Sequence, residues 1–497
     1  MPAPSELPRK ARTGVAGLDD ILAGGLARDR IFLLEGSPGT GKTTIALQFL
    51  LDGAAAGETG LYITLSETEG ELRDAAAEHG WTLGGEITVF ELVPPESLLD
   101  VAHQQSLLYS SDLELGEATR LMFDAIGRSK PMRIVLDSLS EIRLLAQSSL
   151  RYRRQILALK HYFARHGATV LLLDDLTTDT MDKTVHSIAH GVIRLEMLTP
   201  AYGAERRRLR VLKYRGQAYR GGFHDCTIST GGFHVFPRLI AAEHRTGFTG
   251  ERLASGIAEL DTLLGGGMER GSSTLIIGPA GTGKSLLALQ FTMAAVERGE
   301  RAALFVFDEE LGLLFARTRA MGFDLEAMRD RGGLIVEQVD AAELAPGEFT
   351  HRVRACVDDH RIRTVVIDSL NGYQAAMPEE QLLVLHLHEL LLYLNRQGVT
   401  TFLAQHGVIG DMQAPVDVTY LADTVVLLRY FEALGRVRRA ISVIKKRAGP
   451  HEDTIREYRI NDKGIAVGPP LDEFQGVLRG VPVYIGQGGP LMQDDPA

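Results

Sequence analysis

The chain has 497 residues, with 53 lysines and arginines against 64 aspartates and glutamates, for a formal net charge of −11. That acidic balance, with an isoelectric point near 5.8, weighs against nucleic acid as the main partner, and two cysteines supply neither a disulfide framework nor a thiolate metal centre. Met1 to Arg12 lacks the apolar stretch of an export signal, and no apolar run reaches the ~20 residues of a membrane span, so a soluble protein of the reducing cytoplasm with protein partners is expected.

In chain order, the turn-like Thr13-Gly14-Val15-Ala16-Gly17-Leu18-Asp19 comes first. The apolar run Ile31-Phe32-Leu33-Leu34 predicts a strand, and Thr44-Ile45-Ala46-Leu47-Gln48-Phe49 a helix. Between them lies Gly36-Ser37-Pro38-Gly39-Thr40-Gly41-Lys42-Thr43. Such a loop turns its backbone N–H groups toward phosphates, while its lysine neutralises β and γ oxygens and its Thr or Ser hydroxyl ligates Mg²⁺. ATP·Mg is the implied ligand. Leu61 to Ser66 reads as a second strand ending at Glu67, a carboxylate placed to polarise an attacking water or, failing that, to cap the next helix. Trp81, after a helix end at Gly80, reads as core. Arg133-Ile134-Val135-Leu136-Asp137 is a strand with an aspartate at its end, suited to orienting Mg²⁺ and its waters. Late in this half, alternation puts Lys213 and Arg215 on one strand face, where they form either a basic finger toward γ-phosphate or a charged edge that blunts strand pairing.

A boundary is expected near Pro237 to His244, dividing the chain into 1–240 and 241–497. Beyond it the pattern repeats. Ser255-Gly256-Ile257-Ala258-Glu259-Leu260-Asp261 matches the opening turn, and Gly278-Pro279-Ala280-Gly281-Thr282-Gly283-Lys284-Ser285 matches the loop, both displaced by 242 positions. Leu304 to Asp308 and Glu309 repeat the acid-ended strand, Thr364 to Asp368 the metal-orienting one, and Arg439, Lys445 and Arg447 lie in the second basic strand. Alternating strands and helices predict an α/β fold, two tandem mostly parallel sheets flanked by helices. His386-Leu387-His388-Glu389 is a poor metal site, because residues two apart on a helix diverge and no third ligand is evident.

With the doubled loop, the strand-end acids, the Lys-x-Arg strands and Asp423 to Tyr430 ahead of Ile455-Arg456-Glu457, the chain resembles the KaiC family of tandem RecA-like P-loop ATPases over nearly its whole length. The resemblance implies a double-ring homo-hexamer with ATP at subunit interfaces, hydrolysis in the first ring, Ser/Thr autophosphorylation in the second, and signalling or clock-type protein partners. It assigns both loops to phosphate and Mg²⁺, with Thr43, Asp137, Ser285 and Asp368 toward the metal. Glu67, Asp308 and Glu309 become the catalytic acids, and Lys213, Arg215, Lys445, Arg447 and Arg439 would reach the nucleotide of the adjacent protomer.

Three departures qualify that transfer. The family's paired glutamates are replaced by Ser66-Glu67 and Asp308-Glu309, so first-domain turnover would rest on Glu67. The family's Ser-Thr acceptor pair aligns with Thr419-Tyr420, leaving Thr419 as phosphoacceptor. Phe474 to Pro482 departs from the tail of the clock members, which points to a relative outside the cyanobacterial clock. Two other functions remain open, a DNA-dependent motor and a nucleotide-holding scaffold without turnover.

Overall fold

Nearly every residue of the run from Ile31 to Leu34 is apolar because the strand it forms is covered on both faces. Phe32 and Leu34 pack in one core layer and Ile31 and Leu33 in the other. In the computed structural model the described residues are 10–92, 107–176, 184–200, 203–244, 250–375, 380–407, 418–433, 435–462, 464–479 and 483–485. The chain divides into two compact units, Met1–Arg238 and Leu239–Ala497.

The sheet of the first unit is built from β1 (Ile31–Gly36), β2 (Gly60–Thr64), β3 (Ile87–Glu91), β4 (Arg133–Asp137), β5 (Thr169–Asp175), β6 (Gly191–Leu198), β7 (Arg206–Tyr214), β8 (His224–Ser229) and β9 (Gly232–Phe236). Its strand order is β9-β8-β7-β6-β1-β5-β4-β2-β3. The strands from β6 to β3 run parallel, and β7 to β9 extend the sheet antiparallel. In the second unit β10 (Ser273–Gly278), β11 (Ala302–Val306), β12 (Leu334–Gln338), β13 (Thr364–Asp368), β14 (Thr400–His406), β15 (Thr424–Ala433), β16 (Arg436–Lys446), β17 (Ile455–Asn461) and β18 (Gly464–Pro470) repeat that order, β18-β17-β16-β15-β10-β14-β13-β11-β12. This is the α/β arrangement the alternation predicted. Each phosphate-loop strand is central, and its neighbours direct their carboxyl ends toward the same edge, where ligands gather in open parallel sheets.

The opening turn has a local cause. Asp19 Oδ1 accepts from the Thr13 amide at 2.7 Å and its hydroxyl at 2.8 Å, and Asp261 Oδ1 accepts from the Ser255 amide at 2.7 Å. A short polar residue six positions before an aspartate therefore recurs because the carboxylate ties the turn.

Among the buried points at which the units differ is one arginine. Arg133, at the start of β4, donates through Nε to Glu58 Oε2 at 2.6 Å and through Nη1 to the Phe49 carbonyl at 2.6 Å, with Asp52 at 3.3 Å. Burial alone would raise the Glu58 carboxyl, but hydrogen bonds from Arg28 and Arg133 outweigh it and hold the group below its ordinary value. The Arg28–Glu58 pair recurs as Arg270–Glu300. Arg133 does not recur, since Thr364 begins the matching strand.

Trp81 is partly buried against the first core, as expected. His386 bonds Tyr373 and Thr350, and the Glu389 carboxylate accepts from the Ala241 amide at 2.8 Å, so this stretch serves packing.

Candidate nucleotide site

At the carboxyl end of β1, Gly41 takes φ 98° and caps the helix α1 (Lys42–Ala55). Gly283 takes φ 96° ahead of α4 (Lys284–Glu297), and the stretch between them includes α2 (Glu69–Glu78) and α3 (Thr184–Ile188). Both glycines are required. A Cβ on Gly41 would lie 2.7 Å from the Phe233 ring and one on Gly283 2.7 Å from Ile460 Cδ1, in addition to the left-handed strain. Thr40 Oγ1 and Thr282 Oγ1 close the loops by donating to the carbonyls of Ser37 and Pro279 at 2.7 and 2.8 Å.

The two lysines meet different partners. Lys42 Nζ donates to the carbonyls of Gly36 and Ser37 at 2.9 and 3.0 Å and pairs with Asp175 Oδ1 at 2.7 Å. Lys284 Nζ donates to the Pro279 carbonyl at 2.9 Å, and burial lowers its ammonium although Asp368 opposes that. The β1–β5 register sets Gly36 beside Asp175, whereas Gly278 faces His406. Phosphate entering the first loop must take Lys42 from a carboxylate.

The strand-end acids converge on these lysines. Asp137 is buried, and burial raises its carboxyl. A 2.5 Å hydrogen bond from the Tyr62 hydroxyl opposes the rise, Asp175 adds to it and Lys42 counters it. Glu67 is also raised, first by burial and then by Asp137, Glu71 and Asp175. In the second unit burial raises Asp368, against a hydrogen bond donated by Ser285. The helix caps after the acidic strands belong to Thr68, in a capping box with Glu71, and to Glu310. Glu67 and Glu309 are therefore free of capping. The Ser369 hydroxyl donates to Asp308. Glu309 is held by Arg317 of α5 (Leu311–Ala320), with Nε to Oε1 at 3.0 Å and Nη2 to Oε2 at 2.7 Å.

The donor set near each loop is all oxygen, which suits a hard cation such as Mg²⁺. Among the described residues no cluster of three or more acidic, histidine or cysteine side chains forms a cage. Mg²⁺ fits that arrangement, because it keeps several waters and shares phosphate oxygens with one or two protein ligands. Thr43 and Asp137, and Ser285 and Asp368, are the residues that would hold it.

The basic strands separate into two groups. A bulge between Val192 and Ile193, matched between Val425 and Val426, precedes each Lys-x-Arg pair. Lys213 donates to the carbonyls of His186 and Ala189 and Arg215 to that of Ser187, at the end of α3, so the two do share a face. Lys445 and Arg447 similarly meet the carbonyls of Thr419 and Tyr420. Both clusters sit at the amino edge of the sheet, opposite the loops. Arg439 does not join them. It lines a cavity of about 430 Å³ with Gly283, Lys284, Ser285 and Glu309 of its own unit, and its guanidinium lies 5.6 Å from the Tyr430 ring centre. Arg439 thus stands at the loop of its own unit, apart from Lys445 and Arg447. The reason is the length of β16, on which Arg439 and Lys445 stand six residues, about 20 Å, apart. Arg207, 232 positions upstream, likewise donates to the Gly39 carbonyl of its own loop.

A family model for the KaiC ATPase matches residues 11–240 and again 253–472. The chain belongs to the KaiC family. It is 28% identical to the circadian clock oscillator protein KaiC of Thermostichus vulcanus, over 96% of this chain and 92% of that protein. It is 27% identical to the circadian clock protein KaiC3 of Synechocystis sp., over 96% and 95%, and 27% identical to KaiC of Synechococcus elongatus, over 96% and 92%. The two sheets are accordingly tandem RecA-like KaiC domains, and ATP binding and ATPase activity are properties of the family. No helix among the described residues is long and apolar enough to cross a membrane.

Several site residues escaped sequence reasoning: Tyr62, Asp175, Arg207, Arg317 and Tyr430. Arg207 alone carried a signal, since it precedes Lys213 by the same six positions that separate Arg439 from Lys445.

Proposed function

We propose that this KaiC-family protein binds ATP·Mg at both loops, hydrolyses ATP, and in its second domain transfers a phosphoryl group to Thr419, working as a homo-oligomeric signalling switch. The observation that carries the reading is the grouping around Lys284: a Ser285 hydroxyl bonded to a partly buried Asp368, with Asp308 and Glu309 just beyond the end of the neighbouring strand. Bound Mg²⁺ would neutralise charge developing on the phosphates. The chain's own residues do the rest. The loop amides and Lys284 fix the phosphates, Asp308 or Glu309 accepts the proton of the attacking hydroxyl, and Ser369 holds the Asp308 carboxylate in place. In the first domain the elevated Glu67 carboxyl is a better proton acceptor than an ordinary glutamate, which supports hydrolysis there despite Ser66.

Thr419 and the Lys445–Arg447 pair adjoin one another but lie across the sheet from their own loop, so the phosphate donor belongs to a second copy of the chain. Incubation with ATP·Mg, followed by measurement of ADP release and of phosphate on the protein, tests the proposal. Phosphate on Thr419 with ADP release supports it. ADP without phosphate leaves an ATPase switch, and neither product refutes the enzyme.

A further inference from the structure

The second domain differs from the first in how its base candidate is held. Glu67 has no basic partner on the helix that follows it, because the residue matching Arg317 is Ala75, 242 positions upstream. Glu309, by contrast, has each carboxylate oxygen engaged by a separate N–H of Arg317, in the side-on geometry that makes arginine–carboxylate pairs strong and directional. Eight residues separate them, a little over two helical turns, so Arg317 reaches back along α5 to the strand end. It also lines the cavity that contains Lys284 and Ser285, within the field of Asp368.

We propose that Arg317 is a latch on Glu309, opened by the triphosphate. Resting on the proposed ATP site, the latch works by competition. The guanidinium has Glu309 as its bidentate partner, and both oxygens face it instead of an attacking group. A γ-phosphate held by Lys284 brings a second, more highly charged partner into the same cavity, and the guanidinium is shared between it and Glu309, so that the carboxylate is released in only a fraction of the ATP complexes. Glu309 is then free to take the proton from the attacking water or hydroxyl as its oxygen bonds to Pγ and the bond from Pγ to the β-bridging oxygen breaks, leaving ADP. The first domain, with alanine in that place, has no such control. Arg317 is thus a positioning residue that sets the second domain's rate below what its acids would allow.

The test uses the full chain carrying Glu67→Gln, which removes the first-domain base and keeps its loop. Bound nucleotide is counted in this parent with and without Lys284→Ala. An unchanged count means that the second loop holds no ATP, which overturns both the site and the latch. If the count falls, turnover of Arg317→Ala decides the latch. A several-fold rise in kcat together with a higher KM is expected, with Arg317→Lys between it and the parent, since a lysine keeps the charge and loses the paired geometry. In the same parent carrying Glu309→Gln, Arg317→Ala should leave kcat where it was. An unchanged or lower kcat in Arg317→Ala, or a rise that survives Glu309→Gln, overturns the latch while the ATP site stands.

Discussion

Lys42 and Lys284 show how one residue type meets two settings, a carboxylate at 2.7 Å in one loop and backbone carbonyl in the other. Each nonetheless closes a complete phosphate cradle, so Lys42→Ala and Lys284→Ala should each remove about half of the bound nucleotide, as measured by chromatography of the released nucleotides. Wild-type stoichiometry in either variant would place its ligand elsewhere. Another single residue governs acid tolerance. His224 is buried, with Nε2 donating to the Arg220 carbonyl at 3.0 Å and Nδ1 accepting from the Arg238 amide at 2.9 Å. Burial lowers its pKa to about 4. The unfolded chain protonates this imidazole near pH 6.5 while the folded one does not, so stability is unaffected above that value and falls as pH drops from 6.5 toward 4. From pH 7 to pH 5 the first domain should lose about 2 kcal/mol by this route. His224→Gln should flatten that part of the loss in urea titrations at the two pH values, and an undiminished slope would assign it to other groups.

Among the elements, the antiparallel course of β15 and β16 decides which residues can serve which nucleotide. Thr424 pairs with Thr274 at the start of β10, and the phosphate loop follows Gly278 at its end, a separation of about 13 Å along the strand. Thr419 lies beyond that start. A chain with Lys284→Ala, mixed with a distinguishable chain carrying Thr419→Ala, should therefore acquire phosphate on its intact Thr419, although neither acquires any alone. Mass spectrometry of the two species reads this directly, and phosphate on Thr419 of an isolated monomer would contradict it.

The same elements mark how far the sequence could be read. Loop, strand and helix were legible at Gly36 to Phe49 because every constraint there is local: a glycine at positive φ, a hydroxyl closing a turn, apolar residues covered on two faces. Asp137 and Asp368 were legible through repetition. Tyr62 on Asp137 and Asp175 on Lys42 were not, since strand order brings together residues 75 and 133 positions apart and neither contact repeats in the second half. The Lys-x-Arg strands showed their charge but not their edge of the sheet, which depends on the full course of β16, and so Arg439 was grouped with residues at the opposite end.

For the whole molecule, the proposed service of one copy's Thr419 by a second copy's loop predicts an assembly that forms when nucleotide is present. Solution mass with and without ATP·Mg should differ by several chain masses, and a monomer under both conditions would remove the oligomer from the proposal.

Buried ion pairs such as that of Arg133 shape how each half responds to heat. Charged groups lose hydration free energy as temperature rises, so a desolvated ion pair becomes less costly in the warm, while hydrophobic burial levels off. Glu58 and Arg133, both 2% exposed, carry that benefit for residues 1–238, and Lys446 with Glu269, 0% and 6% exposed, carry it in the second half. Two halves with the same strand order would then each hold on warming through a charge pair set at a different place in the fold.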